Sequence, residues 1–240
     1  MNFQLLDKYG LRMLEGLLVT VELVAISVTV GAILALPIAL ARMSRRRGLR
    51  GLAFGYVYFF RGTPLLAQTY LLYYGSGQFR HFFTDIGLWW LFRDAFFCCV
   101  LTFTLNTAAY QAEILRGAIR SIPHDEIDAA KALGLRRWQI FRKVILPQAL
   151  LVAIRPFGNE VVLMIKGSAV AAIVTVFDLM GVTRLAYSRS FDMSVYVWAA
   201  ILYLMLVETL RRIVNAIEHR LTRHMRLATP PTDQSVAVGA

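Results

Sequence analysis

SIPHDEIDAAKALGLRRWQIFRKVILP, residues Ser121 to Pro147, is a polar, heavily charged island set between long apolar segments. Turning a chain between two membrane spans does not require so much charge, so the island reads as a docking surface for another protein. Ser121 is placed to cap a helix with Pro123 in its first turn, and Asp125, Glu126 and Asp128 follow where the positive end of the helix dipole favours carboxylates. Ala129 and Ala130 offer a small-residue surface that lets another backbone approach. Gly134, followed by Leu135, can end this helix and turn the chain into a second short one, which presents Trp138 and Phe141 on one face. Pro147 opens the next apolar segment, because its missing N–H costs least at a helix start. A competing reading is an amphipathic pair lying on the inner membrane surface, with its arginines on anionic lipid.

Outside the island the chain is a membrane protein. Of its 240 residues 58% are hydrophobic and 17% charged, against roughly 45–50% and 25% in soluble domains. The net charge of +11 lies in the gaps between apolar runs, which marks a cytoplasmic face rather than nucleic-acid binding. Cys98 and Cys99 are adjacent in an apolar segment. They have the spacing of neither a disulfide framework nor a metal site, and read as small hydrophobes.

Upstream, residues 1–15 lack the basic start and cleavage site of a removed signal peptide. Leu23 to Ala41 carries no charge and approaches the ~20 residues needed to cross a bilayer, so the first span covers about 13–41. Arg42, Arg45, Arg46, Arg47 and Arg50 place the following loop inside and the amino terminus outside. The second span, about 52–74, is interrupted by Arg61-Gly62-Thr63-Pro64. Arg61 lies roughly 16 Å beyond Arg50, near mid-bilayer, where charge and irregular backbone need a cavity or protein around them. The stretch is either part of a pathway or a packed kink. After an external segment with Trp89 and Trp90, the third span covers about 95–115, with Asn106, Tyr110 and Gln111 in its inner half. These side chains can line a pathway or hydrogen-bond to another helix.

Downstream, the fourth span, about 148–176, holds Arg155, Asn159, Glu160 and Lys166, with Pro156 and Gly158 as candidates for a local break. At ~100° per residue Arg155, Asn159 and Lys166 form one stripe and Glu160 points away from it, so a Glu160–Lys166 pair is disfavoured. Glu160 is the best single candidate to meet the positive group of a bound solute, and pairing with Arg155 or Arg61 is the structural alternative. An external connection over 177–192, a fifth span over 193–210 and then Arg211, Arg212, Arg220, Arg223 and Arg226 place the carboxyl end inside. The tail 228–240 reads as disordered. No phosphate-cradling G-x-x-x-x-G-K-[S/T] run is present, so energy must come from another subunit.

The pattern Asp128-Ala129-Ala130, Gly134 and Val144-x-Leu146-Pro147 resembles the "EAA" loop of the permease subunits of bacterial ABC importers. Asp128 stands where that family usually has Glu, and Val144 where it usually has Ile. Arg61 to Pro64, Leu105 to Ile114 and Ser121-Ile122-Pro123 extend the likeness, over about residues 15–220, to the polar amino acid branch. Within it the chain is most similar to the histidine/lysine/arginine/ornithine and octopine/nopaline permease subunits. The resemblance implies an all-α membrane protein with a type I ABC-importer permease fold: one domain over 1–227, five transmembrane helices, and a coupling loop over 121–144.

It also implies a docking role for Pro123, Asp128, Ala129, Ala130, Gly134 and Leu135. A substrate pathway is expected around Glu160, Asn159, Arg61, Thr63, Asn106 and Gln111. The implied partners are a homologous second permease subunit in a heterodimer, two ATP-binding cassette subunits, a periplasmic amino acid-binding protein and the bilayer. No metal or cofactor is expected on this chain, and ATP and Mg belong to the ATPase. The substrates implied are histidine, arginine, lysine and ornithine, or opine-like derivatives, carried across a bacterial inner membrane. An ion-coupled secondary transporter leaves the island unexplained, and a membrane anchor leaves Arg61 and Glu160 without purpose.

Overall fold

The uncharged run ending at Ala41 carries its helix well past the expected start. In the computed structural model, which describes residues 3–226 and the side chains of 7–221, helix α1 extends from Phe3 to Arg42. Its first turns form because they have partners. Tyr9 packs with Ala186 and Val195, and Met13 with Leu179, Val182 and Ala199. The tail 228–240, together with the side chains of Arg223 and Arg226, lies outside the described residues.

Pro64 divides the second apolar run into α2, Arg47–Gly62, and α3, Leu65–Gln78. Their 16 and 14 residues each fall short of the ~20 that cross a hydrocarbon core. Two short helices, α4 (Arg80–Asp85) and α5 (Trp89–Phe92), fold the connection to α6 (Ala95–Arg120). The Asp94 side chain starts α6 by accepting the Phe96 N–H. α6 is the central helix and packs most extensively against α1. A Cβ on Gly31 would stand 2.6 Å from Thr107 Cγ2, so glycine is what allows these two helices to approach.

The island forms α7 (His124–Ala132) and α8 (Arg137–Ile140). A π-helical turn over Phe141–Ile145 joins α8 to α9 (Leu146–Gly167), and a 3₁₀ turn over Ser168–Val174 follows. The chain ends in α10 (Leu179–Ser190) and α11 (Ser194–Arg226). The core joins Leu23 and Val24 of α1, Cys99 and Phe103 of α6, Val162 and Ile165 of α9, Val174, and Val207 of α11. Cys98 and Cys99 are buried and free, and Cys99 fills space there as a small apolar side chain.

Two local expectations are corrected. Ser121 does not begin the island helix: its hydroxyl donates to Ala118 O at 2.8 Å and closes α6, while Pro123 takes the position before α7. Pro147 keeps its expected place in the first turn of α9. A π turn precedes it, with the Leu146 N–H reaching back to Phe141 O. Pro156 and Gly158 do not break α9. Pro156 removes only one helical donor, and Ala153 and Phe157 on either side are held against Ala118 and Ala149.

Among the described residues there is no strand, and three stretches are long and apolar enough to cross a membrane: Asp7–Arg42, Ala95–Arg120 and Arg137–Val174. The other two expected spans are the broken α2–α3 pair and the first half of α11, which continues beyond residue 210 as a charged helix.

Candidate functional site

The island is a helix, a turn and a helix whose geometry Gly134 sets. Its φ of +75° is open to glycine at no steric cost. There the Gly134 N–H donates to Lys131 O at 2.9 Å and the Leu135 N–H to Ala130 O at 3.2 Å, which is the double hydrogen bond of a Schellman cap. Asp125 and Glu126 occupy the first turn of α7, and Asp128 pairs one turn later with Lys131 at 2.7 Å. The Lys131 ammonium, which donates a hydrogen bond to it, holds the Asp128 carboxyl below its ordinary value. Pro123, Asp128, Ala129 and Gly134 face outward, while Leu135 is half-buried and Ala130 is only 5% exposed. Leu133 and Trp138 are 81% and 65% exposed, and Trp138 stacks on Phe141 with centroids 6.1 Å apart. Glu126 accepts from Gln148, which ties α7 to α9.

A second cluster forms where Pro64 interrupts the helix. Proline has no N–H, so Phe60 O loses its donor four residues on. Two side chains replace it: Asn106 Nδ2 lies 2.9 Å and Gln68 Nε2 3.0 Å from that oxygen. Gln68 also donates to Thr63 O and Thr63 Oγ1, and its own Oε1 accepts from Asn106. Tyr110 Oη donates to Arg61 O at 3.5 Å, and its ring lies 5.1 Å beneath the exposed Arg61 guanidinium. Thus Arg61, Thr63 and Asn106 meet at one helix break, sealed from behind by Gln68.

Glu160, on α9, packs against another face of the same α6. It is 6% exposed, and Thr107 Oγ1 donates to its Oε1 at 3.2 Å. Gln111 Nε2 in turn donates to Thr107 Oγ1 at 3.1 Å and to Val28 O at 3.3 Å. No cation lies within 4 Å of the Glu160 carboxylate among the described residues. Arg155 is held by Glu218 at 2.7 Å. Arg155, Asn159 and Lys166 all lie on the exposed side of α9, so the adjacent residues Asn159 and Glu160 point into different spaces. Asn159 borders a cleft of about 350 Å³ between α9 and α11.

Three participants escape sequence reasoning. Gln68 stands in an apolar run four residues after Pro64, and that spacing is the signal that a side-chain amide is needed there. Thr107 carries no signal, since it bridges Gln111 and Glu160 only once α6 and α9 pack. Glu113 is held by Arg42 at 2.9 Å and Arg116 at 2.7 Å, so Arg42 joins α1 to α6. Among the described residues no three His, Cys, Asp or Glu side chains gather as a metal site would require.

The family described as "Binding-protein-dependent transport system inner membrane component" matches residues 27–223. The nopaline transport system permease protein NocM of Agrobacterium fabrum is 38% identical over 94% of either chain. The histidine/lysine/arginine/ornithine transport system permease protein HisM of Escherichia coli K12 is 36% identical over 88% of this chain and 89% of its own. A solved chain from an amino acid ABC transporter with histidines superposes with a TM-score of 0.81 at 30% identity, covering 92% of this chain and 99% of its own.

Proposed function

The chain belongs to the family of binding-protein-dependent transport system inner membrane components, and on that footing we propose that it forms half of the translocation pathway of an ATP-driven importer for basic amino acids or opine-like derivatives. It is a transport subunit of the inner membrane, not an enzyme, and ATP is hydrolysed by a separate subunit.

The observation that carries this reading is the α7–α8 island. A rigid, Schellman-capped pair of short helices turns Leu133 and Trp138 outward without covering them, and exposed large apolar side chains grouped in this way mark a protein contact. Their partner in the proposal is a groove on the ATP-hydrolysing subunit. The pathway crosses the bilayer five times, over 13–41, 52–74, 95–115, 148–176 and 193–210, in one domain with its amino end outside and its carboxyl end inside. It is completed by a homologous second permease chain, with two ATPase subunits below and a periplasmic binding protein above.

Closure of the ATPase dimer draws the two islands together. The Glu126–Gln148 tie passes that displacement to α9, and the spans rock to open the pathway outward. Glu160 is the acid that meets the solute's ammonium or guanidinium. Arg61, Thr63, Asn106 and Gln111 shape the pathway beside it, whereas Asn159, expected to join them, faces the cleft toward α11 instead. The deciding experiment is stimulation of the reconstituted complex's ATPase by a panel of binding proteins loaded with basic amino acids or opines. Stimulation confined to one of these solute classes is expected, and none by any of them would overturn the substrate assignment.

A further inference from the structure

We propose that the cleft between α9 and α11 is a binding site for an oxyanion, a phosphate or carboxylate group, at the inner half of the membrane domain. Its volume is about 350 Å³, and Arg155, Asn159, Arg211 and Asn215 line its polar side. The two guanidiniums come from different helices. Arg155 is neutralised by Glu218 at 2.7 Å, whereas Arg211 has no acidic group within 4 Å among the described residues. The cleft therefore carries one uncompensated positive charge, and the Asn159 and Asn215 carboxamides supply further N–H donors around it.

The depth makes this charge informative. Arg155 follows Leu146 by nine residues, about 14 Å along α9, and Arg211 ends the stretch of α11 read as a span. The pairing of Arg155 with Glu218, seven residues past Arg211, puts the mouth of the cleft at the cytoplasmic end of the spans, the level of anionic inner-leaflet headgroups. The flat array of guanidinium donors matches phosphate and carboxylate oxygens two at a time. The cleft is also built on a fixed frame, because Gly158 lets α9 approach α11 so closely that a Cβ there would lie 2.5 Å from Val214 Cγ1. An anionic phospholipid headgroup of the inner leaflet and a free anion from the cytoplasm present the same oxygens. The assignment does not depend on which solute is imported.

The test uses the assembled transport complex in detergent and follows its thermal unfolding. Dioctanoyl phosphatidylglycerol, dioctanoyl phosphatidylcholine and inorganic phosphate are titrated at constant ionic strength. Phosphatidylglycerol raises the midpoint by several degrees through linkage, Arg211→Gln abolishes the rise, and Arg212→Gln, whose charge is paired with Glu208, retains it. A rise with phosphatidylglycerol alone assigns the site to lipid, and a comparable rise with phosphate assigns it to free anions. Equal response to phosphatidylcholine, no response, or an undiminished response in Arg211→Gln overturns the proposal.

Discussion

Asn106 Nδ2 lies 2.9 Å from the carbonyl oxygen of Phe60, the acceptor that Pro64 leaves without a helical donor. This one hydrogen bond closes a break in the chain by means of a helix 46 residues away in sequence, and Gln68 supports it from the other side. The break is thus a fixed, side-chain-sealed feature, and Arg61 is presented from a rigid edge.

Replacing Asn106 or Gln68 by Ala should destabilise the assembled complex by about 1–3 kcal/mol each, the cost of leaving buried carbonyls unsatisfied. The double variant should lose more than the sum, because either side chain alone still satisfies Phe60 O and only their joint loss orphans it. Unfolding midpoints of the three variants check this. Strict additivity would mean that the two amides act independently.

Gly134→Pro removes the N–H that caps α7 and cannot adopt a φ of +75°, and Ala129→Arg places a long charged side chain on the outward face. Either change should abolish co-purification of the ATPase subunit while the chain remains inserted in the membrane. Normal recovery of the ATPase with both variants would refute the docking role of the island.

Glu160→Gln keeps the acceptor used by Thr107 and removes the charge. Complex assembly should be unaffected, and uptake of basic substrates should fall by roughly tenfold or more, as expected for losing a charged hydrogen bond of ~1.5–3 kcal/mol. Transport at the original rate would exclude contact between Glu160 and the solute.

Asp178, in the connection before α10, is fully buried, and its Oδ1 accepts the Gly181 N–H at 2.8 Å. Burial pushes its carboxyl up from 3.8 to about 6. The folded state then holds a proton that the unfolded chain releases between pH 4 and pH 6, so this group makes stability fall as pH rises through that window. Asp178→Asn, which can still cap the helix, should raise the unfolding midpoint at pH 7.5, and the gain should shrink toward pH 4. A gain of the same size at both ends would assign the effect to packing.

The candidate site was legible where local rules govern it. Pro64 and Gly62 foretold the break because a proline removes a donor wherever the chain runs, and Gly134 foretold the turn because only its backbone tolerates positive φ at no cost. The Arg155, Asn159 and Lys166 stripe followed from helical periodicity alone. By contrast, Ser121 misled. It has a strong local preference for a helix start, yet α6 used the hydroxyl to close itself.

From the sequence alone came the membrane setting, the all-helical composition, the charged island with its hinge at Gly134, and the resemblance that led to the family. These follow from composition, from spacing within one or two turns, and from quoted motifs, none of which requires knowing which helices touch. Only the tertiary structure decided that Gln68 and Asn106 share one orphaned carbonyl and that Thr107 links Gln111 to Glu160. It likewise decided that Arg155 belongs to Glu218, and that Asn159 opens onto α11 while Glu160 turns toward α6. Partners 38 to 63 residues apart are chosen by which helix faces pack together, and that choice is made by the whole core.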